Sequence, residues 1–257
     1  MKTLIQFKDV HLSFGSRRVL KGLNLEIYEG EILTILGGSG SGKSVTLKLL
    51  LGILAPDKGT IYFRDQEITK ASEESLIAVR KEIGMLFQGS ALFDSLSVQD
   101  NIAYPLREHS SKLEEEISHI VAQKLALVGL GGIGAMSPAD LSGGMRKRVG
   151  LARAISTDPK LILYDEPTTG LDPANTQRIN NLILKMKERL KVTSIVVTHD
   201  LASAFRVSDR LALLNDGQIC FVGTREEAKA SKNPIVQNFI HGELDETSKE
   251  ISIGGTI

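Results

Sequence analysis

The stretch Gly37-Gly38-Ser39-Gly40-Ser41-Gly42-Lys43-Ser44 decides the fold. Two glycines five positions apart, followed by a lysine and a hydroxyl residue, match a phosphate-binding loop. Glycines leave no side chain between the backbone N–H groups and a nucleotide's phosphates, so the chain can curl round them. Lys43 then reaches the β- and γ-phosphates, and the Ser44 hydroxyl can take one place on Mg²⁺. The flanks agree with that reading. Glu31 to Leu36 is mostly apolar, as a buried parallel strand should be. Beyond the loop, Leu47, Leu50, Leu51 and Leu54 recur at helical spacing, predicting a helix whose positive N-terminal end faces the anion.

Working outward, 257 residues suffice for one large α/β domain. Lys+Arg and Asp+Glu both number 31, and a net charge of zero argues against broad attraction to nucleic acid. Cys220 has no second cysteine to pair with, and its apolar run predicts a core thiol. No apolar run reaches the ~18 residues of a membrane span, and the start has no signal-peptide core. The expectation is a cytoplasmic chain that reaches a membrane only through a partner.

Two strands are expected at Leu4 to Leu12 and Val19 to Tyr28. Phe14, at the tip of the first, is suited equally to stacking on an adenine and to capping the local core. Pro56 to Gly59 reads as a turn, Ile61 to Phe63 as a short strand, and Ile83 to Phe87 as a buried strand ending at Gln88. A glutamine there can reach a metal or its attacking water. Helical texture fills about 89–158, with helices at Leu113 to Val128 and Met145 to Thr157. Ser142 reads as the N-cap of the second, and Gly143 and Gly144 leave amides bare at a positive helix end. Arg146, Lys147, Arg148 and Arg153 suit a phosphate or a solvated helix face equally.

Leu161 to Tyr164 delivers Asp165 and Glu166 at a strand's end. Such a pair suits a Mg²⁺-dependent nucleoside triphosphatase, the first carboxylate serving the metal and the second polarising water. A helix marked by Ile179 to Leu190 and a strand Ser194 to Thr198 follow, and His199 alone of the five histidines stands at a strand's end. Arg210 to Asn215 and Gln218 to Gly223 form a hairpin across Asp216-Gly217. Two short helices end near His241. No repeat at a period of about 20 to 50 residues is visible.

Taken in order, GGSGSGKS, Gln88, LSGGM, LILYDEP, GLDP and His199 resemble the nucleotide-binding subunit of an ABC transporter over roughly Leu4 to Gly242. The resemblance implies an α/β P-loop NTPase fold, an ABC-type domain with a RecA-like core, an antiparallel β subdomain and a helical subdomain. Residues 1–242 would form the ATPase domain, with the helical part at about 89–158 inserted. Residues 243–257 would be a tail, disordered unless docked on a partner.

The resemblance further implies two copies clamping two ATP head to tail. Phe14 would stack on adenine and Gly37, Gly38, Ser39, Gly40, Ser41, Gly42, Lys43 and Ser44 would hold the phosphates. Ser44, Gln88 and Asp165 would serve Mg²⁺, with Glu166 as base and His199 on the γ-phosphate. Ser142, Gly143 and Gly144 would reach the partner's ATP, and Asp172 would lie at the dimer seam. Two positions depart from the family's habit: Met145 replaces its usual glutamine, and Phe14 a common tyrosine.

A narrower likeness lies in Gly89 to Phe93 and Asn101 to His109, which are similar to the ATPases of Mla/Mce-type lipid transporters. It implies phospholipid transport between membranes, with a permease, an MCE-domain protein and in some systems a STAS-domain protein, and no nucleic acid. The site of action would be the cytoplasmic face of the inner membrane. Phe93, Leu96 and Val98 suit either a groove for a permease helix or the helical subdomain's own core. The rival readings are a transporter ATPase for another substrate and a soluble single-cassette ATPase of iron–sulphur assembly. Repair-type relatives need long insertions, for which the 96 residues between Ser44 and Leu141 leave no room. A small-molecule kinase would leave LSGGM and His199 unexplained.

Overall fold

Twelve-residue strands β1 (Thr3–Phe14) and β2 (Arg17–Tyr28) open the chain in the computed structural model, which describes residues 2–241. Their buried residues tend to alternate with exposed ones, the pattern of an antiparallel pair with one covered face. Next come β3 (Ile32–Leu36), α1 (Lys43–Leu50), β4 (Lys58–Phe63), β5 (Gln66–Glu67), α2 (Glu73–Lys81) and β6 (Ile83–Leu86). The central stretch is helical: α3 (Val98–His109), α4 (Glu114–Leu127), a 3-10 turn at Pro138–Asp140 and α5 (Gly143–Ala154). The chain then alternates through β7 (Leu161–Asp165), α6 (Pro173–Leu190), β8 (Thr193–Thr198) and α7 (Leu201–Val207). Hairpin β9 (Arg210–Asn215) and β10 (Gln218–Thr224) leads to α8 (Arg225–Ala230) and α9 (Pro234–His241).

The strands form two sheets. An antiparallel sheet runs β2-β1-β4-β5, and a second runs β10-β9-β3-β8-β7-β6, parallel from β9 to β6. Every residue of β3, β7 and β8 is buried, because helices cover one face and the antiparallel sheet or further helices the other. One core joins the antiparallel sheet to α1 and α2 through Leu12, Leu25, Ile35, Leu50 and Val79. Another packs α3, α4, α5 and α6 on the opposite face through Ile102, Val121, Val149, Ile162 and Ile183.

Several expectations shift. Helix α1 stops at Leu50, so Leu51 and Leu54 of the predicted stripe lie beyond it. The cause is Gly52 at φ 63°: its N–H bonds Leu49 O at 3.0 Å and the Ile53 N–H bonds Lys48 O at 3.0 Å, the paired bonds that end a helix at a left-handed glycine. Strand β4 begins at Lys58, inside the predicted turn, and α5 begins at Gly143 and ends at Ala154. Helix α3 forms around Pro105, a residue that usually breaks helices, and Ser97 caps its start. The tail placed at 243–257 lies outside the described residues.

Candidate functional site

The sheet order does what sequence spacing alone cannot. Strands β3, β8, β7 and β6 are consecutive neighbours running the same way, with Leu36 opposite Thr198, Val197 opposite Asp165, and Tyr164 opposite Leu86. Their C-terminal ends therefore stand in a row about 14 Å wide, at about 4.8 Å per strand. The glycine loop leaves β3, His199 follows β8, Asp165 ends β7 with Glu166 next, and Gln88 lies just past β6. This is the crevice where open α/β sheets place ligands.

A cleft of about 900 Å³ opens there, lined by Phe14, Gly38 to Gly40, Gly42 to Ser44, Gln88, Glu166 and His199. Phe14 is 50% exposed on its wall and belongs to no core, so the core-cap alternative fails for it. Gly40 and Gly42 have φ of 75° and 108°, which side chains resist. A Cβ on Gly37 would lie 2.5 Å from Leu214 O and 2.6 Å from the Ser41 hydroxyl oxygen, so the loop's path requires glycine. The Ser41 hydroxyl is buried with no hydrogen-bond partner among the described residues, as expected of a group shaped for an incoming oxygen.

Lys43 is buried and curls back, its Nζ donating to Gly37 O at 2.8 Å and Gly38 O at 3.0 Å. It also stands 3.5 Å from Glu166 Oε1. The Ser44 hydroxyl donates to Asp165 Oδ1 at 2.8 Å. These hard oxygens suit Mg²⁺, which completes its shell with water and substrate phosphates rather than an all-protein cage. Among the described residues no three His, Cys, Asp or Glu side chains gather as such a cage.

Glu166 has φ 47° and a carboxylate held from several sides. Its Oε2 lies 3.0 Å from His199 Nδ1 and accepts from Thr198 Oγ1 at 3.1 Å and Thr169 Oγ1 at 3.2 Å. Burial works to raise Glu166, but His199, Lys43 and Thr198 together outweigh it and hold the carboxyl below its usual range. Asp165 goes the other way: burial, aided by the neighbouring Glu166, pushes it up against the bond from Ser44. Two adjacent carboxyls thus differ in proton affinity by environment, a pattern of acid–base sites.

Ser142, Gly143, Gly144 and Asp172 do not line this cleft. Ser142 caps α5, with the Met145 N–H bonding its Oγ at 3.3 Å, and Asp172 caps α6 through the Asn175 N–H at 2.9 Å. The two helix starts touch, since a Cβ on Gly144 would lie 2.7 Å from the Asn175 side chain. The other histidines, His11, His109, His119 and His241, lie at or near the surface away from the cleft. Thr169 and Thr198 escaped the sequence reading, because a threonine in a strand or turn carries no signal of its own. The solvated-face alternative fails for Lys147, which is buried, and for Arg153, which bonds Ser90 O and Ala91 O. Among the described residues no helix is long and apolar enough to cross a membrane.

A family model described as "ABC transporter" matches residues 20–169. The chain is 43% identical over 244 residues to the intermembrane phospholipid transport system ATP-binding protein MlaF of Haemophilus influenzae, covering 95% of this chain and 92% of that protein. It is also 43% identical over 242 residues to the probable ribonucleotide transport ATP-binding protein mkl of Mycobacterium leprae, covering 94% of this chain and 70% of that one. Among solved structures, the dimeric cassette MJ0796 in a post-hydrolysis state with ADP and Pi superposes with a TM-score of 0.79 at 31% identity, over 86% of this chain and 98% of that one. The chain belongs to the ABC transporter family. It has the ABC cassette fold and is an ABC-type ATPase that uses ATP with Mg²⁺.

Proposed function

We propose that this ABC ATPase powers the movement of phospholipid between membranes, working as a pair of copies on a membrane permease. The observation that carries the ATPase mechanism is the row of four strand ends, which gathers Lys43, Ser44, Gln88, Glu166 and His199 around one cleft, with Asp165 bonded to Ser44 beside it. Support for the lipid reading comes from the coverage: the MlaF-type relative is matched over nearly its whole length, the mkl-type relative over 70% of it.

The loop amides and Lys43 would bind the triphosphate, and Phe14 would stack on the base. Mg²⁺, when bound, would neutralise charge on the β- and γ-phosphates; Ser44, Asp165 and Gln88 are the residues that would hold it. Glu166, ionised at neutral pH, takes the proton of the attacking water. His199 holds Glu166 through Nδ1 and keeps Nε2 for the γ-phosphate. Ser142, Gly143, Gly144 and Asp172, which do not line this cleft, would complete the cleft of a second copy. ATP would then favour the closed pair because only that state makes both sets of contacts.

A groove of about 710 Å³ between β6, α3 and α5 suits a helix of the permease. Phe87, Phe93 and Tyr104 stand exposed in it, with the Phe93 and Tyr104 ring centroids 5.0 Å apart. Val98 is fully buried and Leu96 half-buried outside this groove, so of the three residues suggested by sequence only Phe93 belongs to it. An MCE-domain protein, joined in some such systems by a STAS-domain protein, would complete the assembly at the cytoplasmic face of the inner membrane.

The test is Glu166→Gln in the full-length protein. ATP analogue binding should persist and dimers accumulate with ATP, while phosphate release falls by about a hundredfold to ten-thousandfold. Turnover near the wild-type rate would remove Glu166 from the base role. Phospholipid transfer between vesicles, measured with the co-purified membrane partners, should stop with the same variant.

A further inference from the structure

Helix α5 turns one face to the segment that follows β6. Lys147, Gly150 and Arg153 recur at i, i+3 and i+6 on it. Lys147 is 5% exposed, and its Nζ donates to Gln88 O at 2.5 Å and to Glu166 O at 3.1 Å. At Gly150 an added Cβ would lie 3.0 Å from Leu86 Cδ1 and 3.3 Å from Ser90 Cβ, so the helix seats directly on the segment. Arg153 donates to Ala91 O at 2.8 Å and Ser90 O at 2.9 Å. Ser90 and Ala91 hold φ of 65° and 47°, conformations that persist only when neighbours over-determine them.

Lys147 is the unusual member of this face. Among the described residues no carboxylate lies within ion-pair distance of its ammonium, and burial pushes its pKa down against the longer-range pull of Asp165 and Glu166. A buried charge with only neutral acceptors is costly, so a leucine or methionine would fill the same space at less expense. What the ammonium does that those cannot is join two particular carbonyls. They belong to the two residues assigned to the metal and to the attacking water.

We propose that Lys147 is a positioning residue for ATP hydrolysis, fixing the Gln88 and Glu166 backbones relative to each other and to helix α5. One nitrogen donating to both oxygens caps their separation at the sum of the two bonds, and the side chains they carry inherit that spacing. Helix α5 starts at Gly143, so its N-terminal end and Lys147 are about 6 Å apart along one rigid element. A displacement of that end by a second copy's nucleotide is carried to Gln88 and Glu166 through the same nitrogen. The inference rests on the roles given above to Gln88 and Glu166.

The experiment compares wild type, Glu166→Gln, Lys147→Met and Lys147→Arg in the full-length protein co-purified with its membrane partners. Readouts are kcat and KM for ATP, affinity for a fluorescent ATP analogue, and the thermal midpoint. Lys147→Met should lower kcat by about tenfold to a hundredfold, as misplaced reacting groups do. KM and analogue affinity should stay within about twofold, because the glycine loop is untouched. Lys147→Arg should recover part of kcat, since a guanidinium can reach both carbonyls. A wild-type kcat in Lys147→Met, with or without a lowered thermal midpoint, overturns the proposal and leaves Lys147 a packing residue. Equal losses in binding and kcat overturn it too. If Lys147→Met does not fold, Lys147→Gln replaces it: its amide falls one bond short of spanning both carbonyls, and wild-type kcat there is equally fatal. Turnover kept in Glu166→Gln would instead refute the assignment of Glu166 beneath this inference.

Discussion

Glu166 adopts φ 47°, a left-handed backbone that costs a non-glycine residue on the order of 1–3 kcal/mol. Its surroundings explain how it stays there. The N–H bonds Val197 O at 2.9 Å, the carbonyl accepts from Lys147, and the carboxylate accepts from Thr198 and Thr169 beside His199. Thr198 has a double duty, because its Oγ1 also accepts the Asp200 N–H at 3.0 Å. Thr198→Val keeps the shape and removes both bonds. Stability should fall by about 1–3 kcal/mol, the cost of leaving such groups unpaired. At the same time kcat should drop about tenfold while KM holds, as for loss of an interaction that matters only in the transition state. Denaturant titration and steady-state ATPase assays measure the two effects, and an unchanged kcat would mean that Thr198 does not orient Glu166.

Among the helices, α3 and α4 are joined on their solvent side by Arg107. Its guanidinium donates to Asp100 at 3.0 Å and to Glu114 at 2.8 and 2.9 Å. The Ser97 hydroxyl and then Arg107 hold Asp100 below its usual range, and Arg107 does the same to Glu114. Both carboxyls therefore bind protons less readily folded than unfolded. Their contribution is present above the ordinary carboxylate values and disappears as pH falls through the depressed ones. Arg107→Ala should lower the thermal midpoint slightly at neutral pH, since the pairs are largely exposed. The gap to wild type should close on acidification; a gap constant with pH would show that Arg107 acts by packing alone.

At the scale of the whole molecule, the cleft and the groove are separate surfaces joined by α5 and the Gln88 segment. Gln88 lines the cleft, Phe87 and Ala91 line the groove, and Arg153 both bonds Ala91 O and lies 5.8 Å over the Phe93 ring. Events at one surface therefore have a short, packed route to the other. Placing a charge in the groove tests its assignment without touching the cleft. Phe93→Asp should abolish co-purification with the membrane partner, because an ionised side chain in an apolar contact is costly. The isolated variant should bind an ATP analogue as the wild type does. Retention of the partner would move the docking surface elsewhere.

What the sequence by itself determined was local chemistry tied to local geometry. GGSGSGKS between an apolar strand and a helix, two carboxylates at the end of Leu161 to Tyr164, and His199 after an apolar strand are each readable within about ten residues. Family resemblance added the order of the motifs and the ABC fold. Tertiary structure decided which strands are neighbours, and so which of these distant groups share a cleft. It also decided that Lys147 is buried and that Ser142, Gly143, Gly144 and Asp172 stay out of this cleft's lining. The reason is that burial and pairing are properties of contacts between segments far apart in the chain. A lysine on a basic helix reads the same whether its ammonium meets water or, as here, two backbone carbonyls.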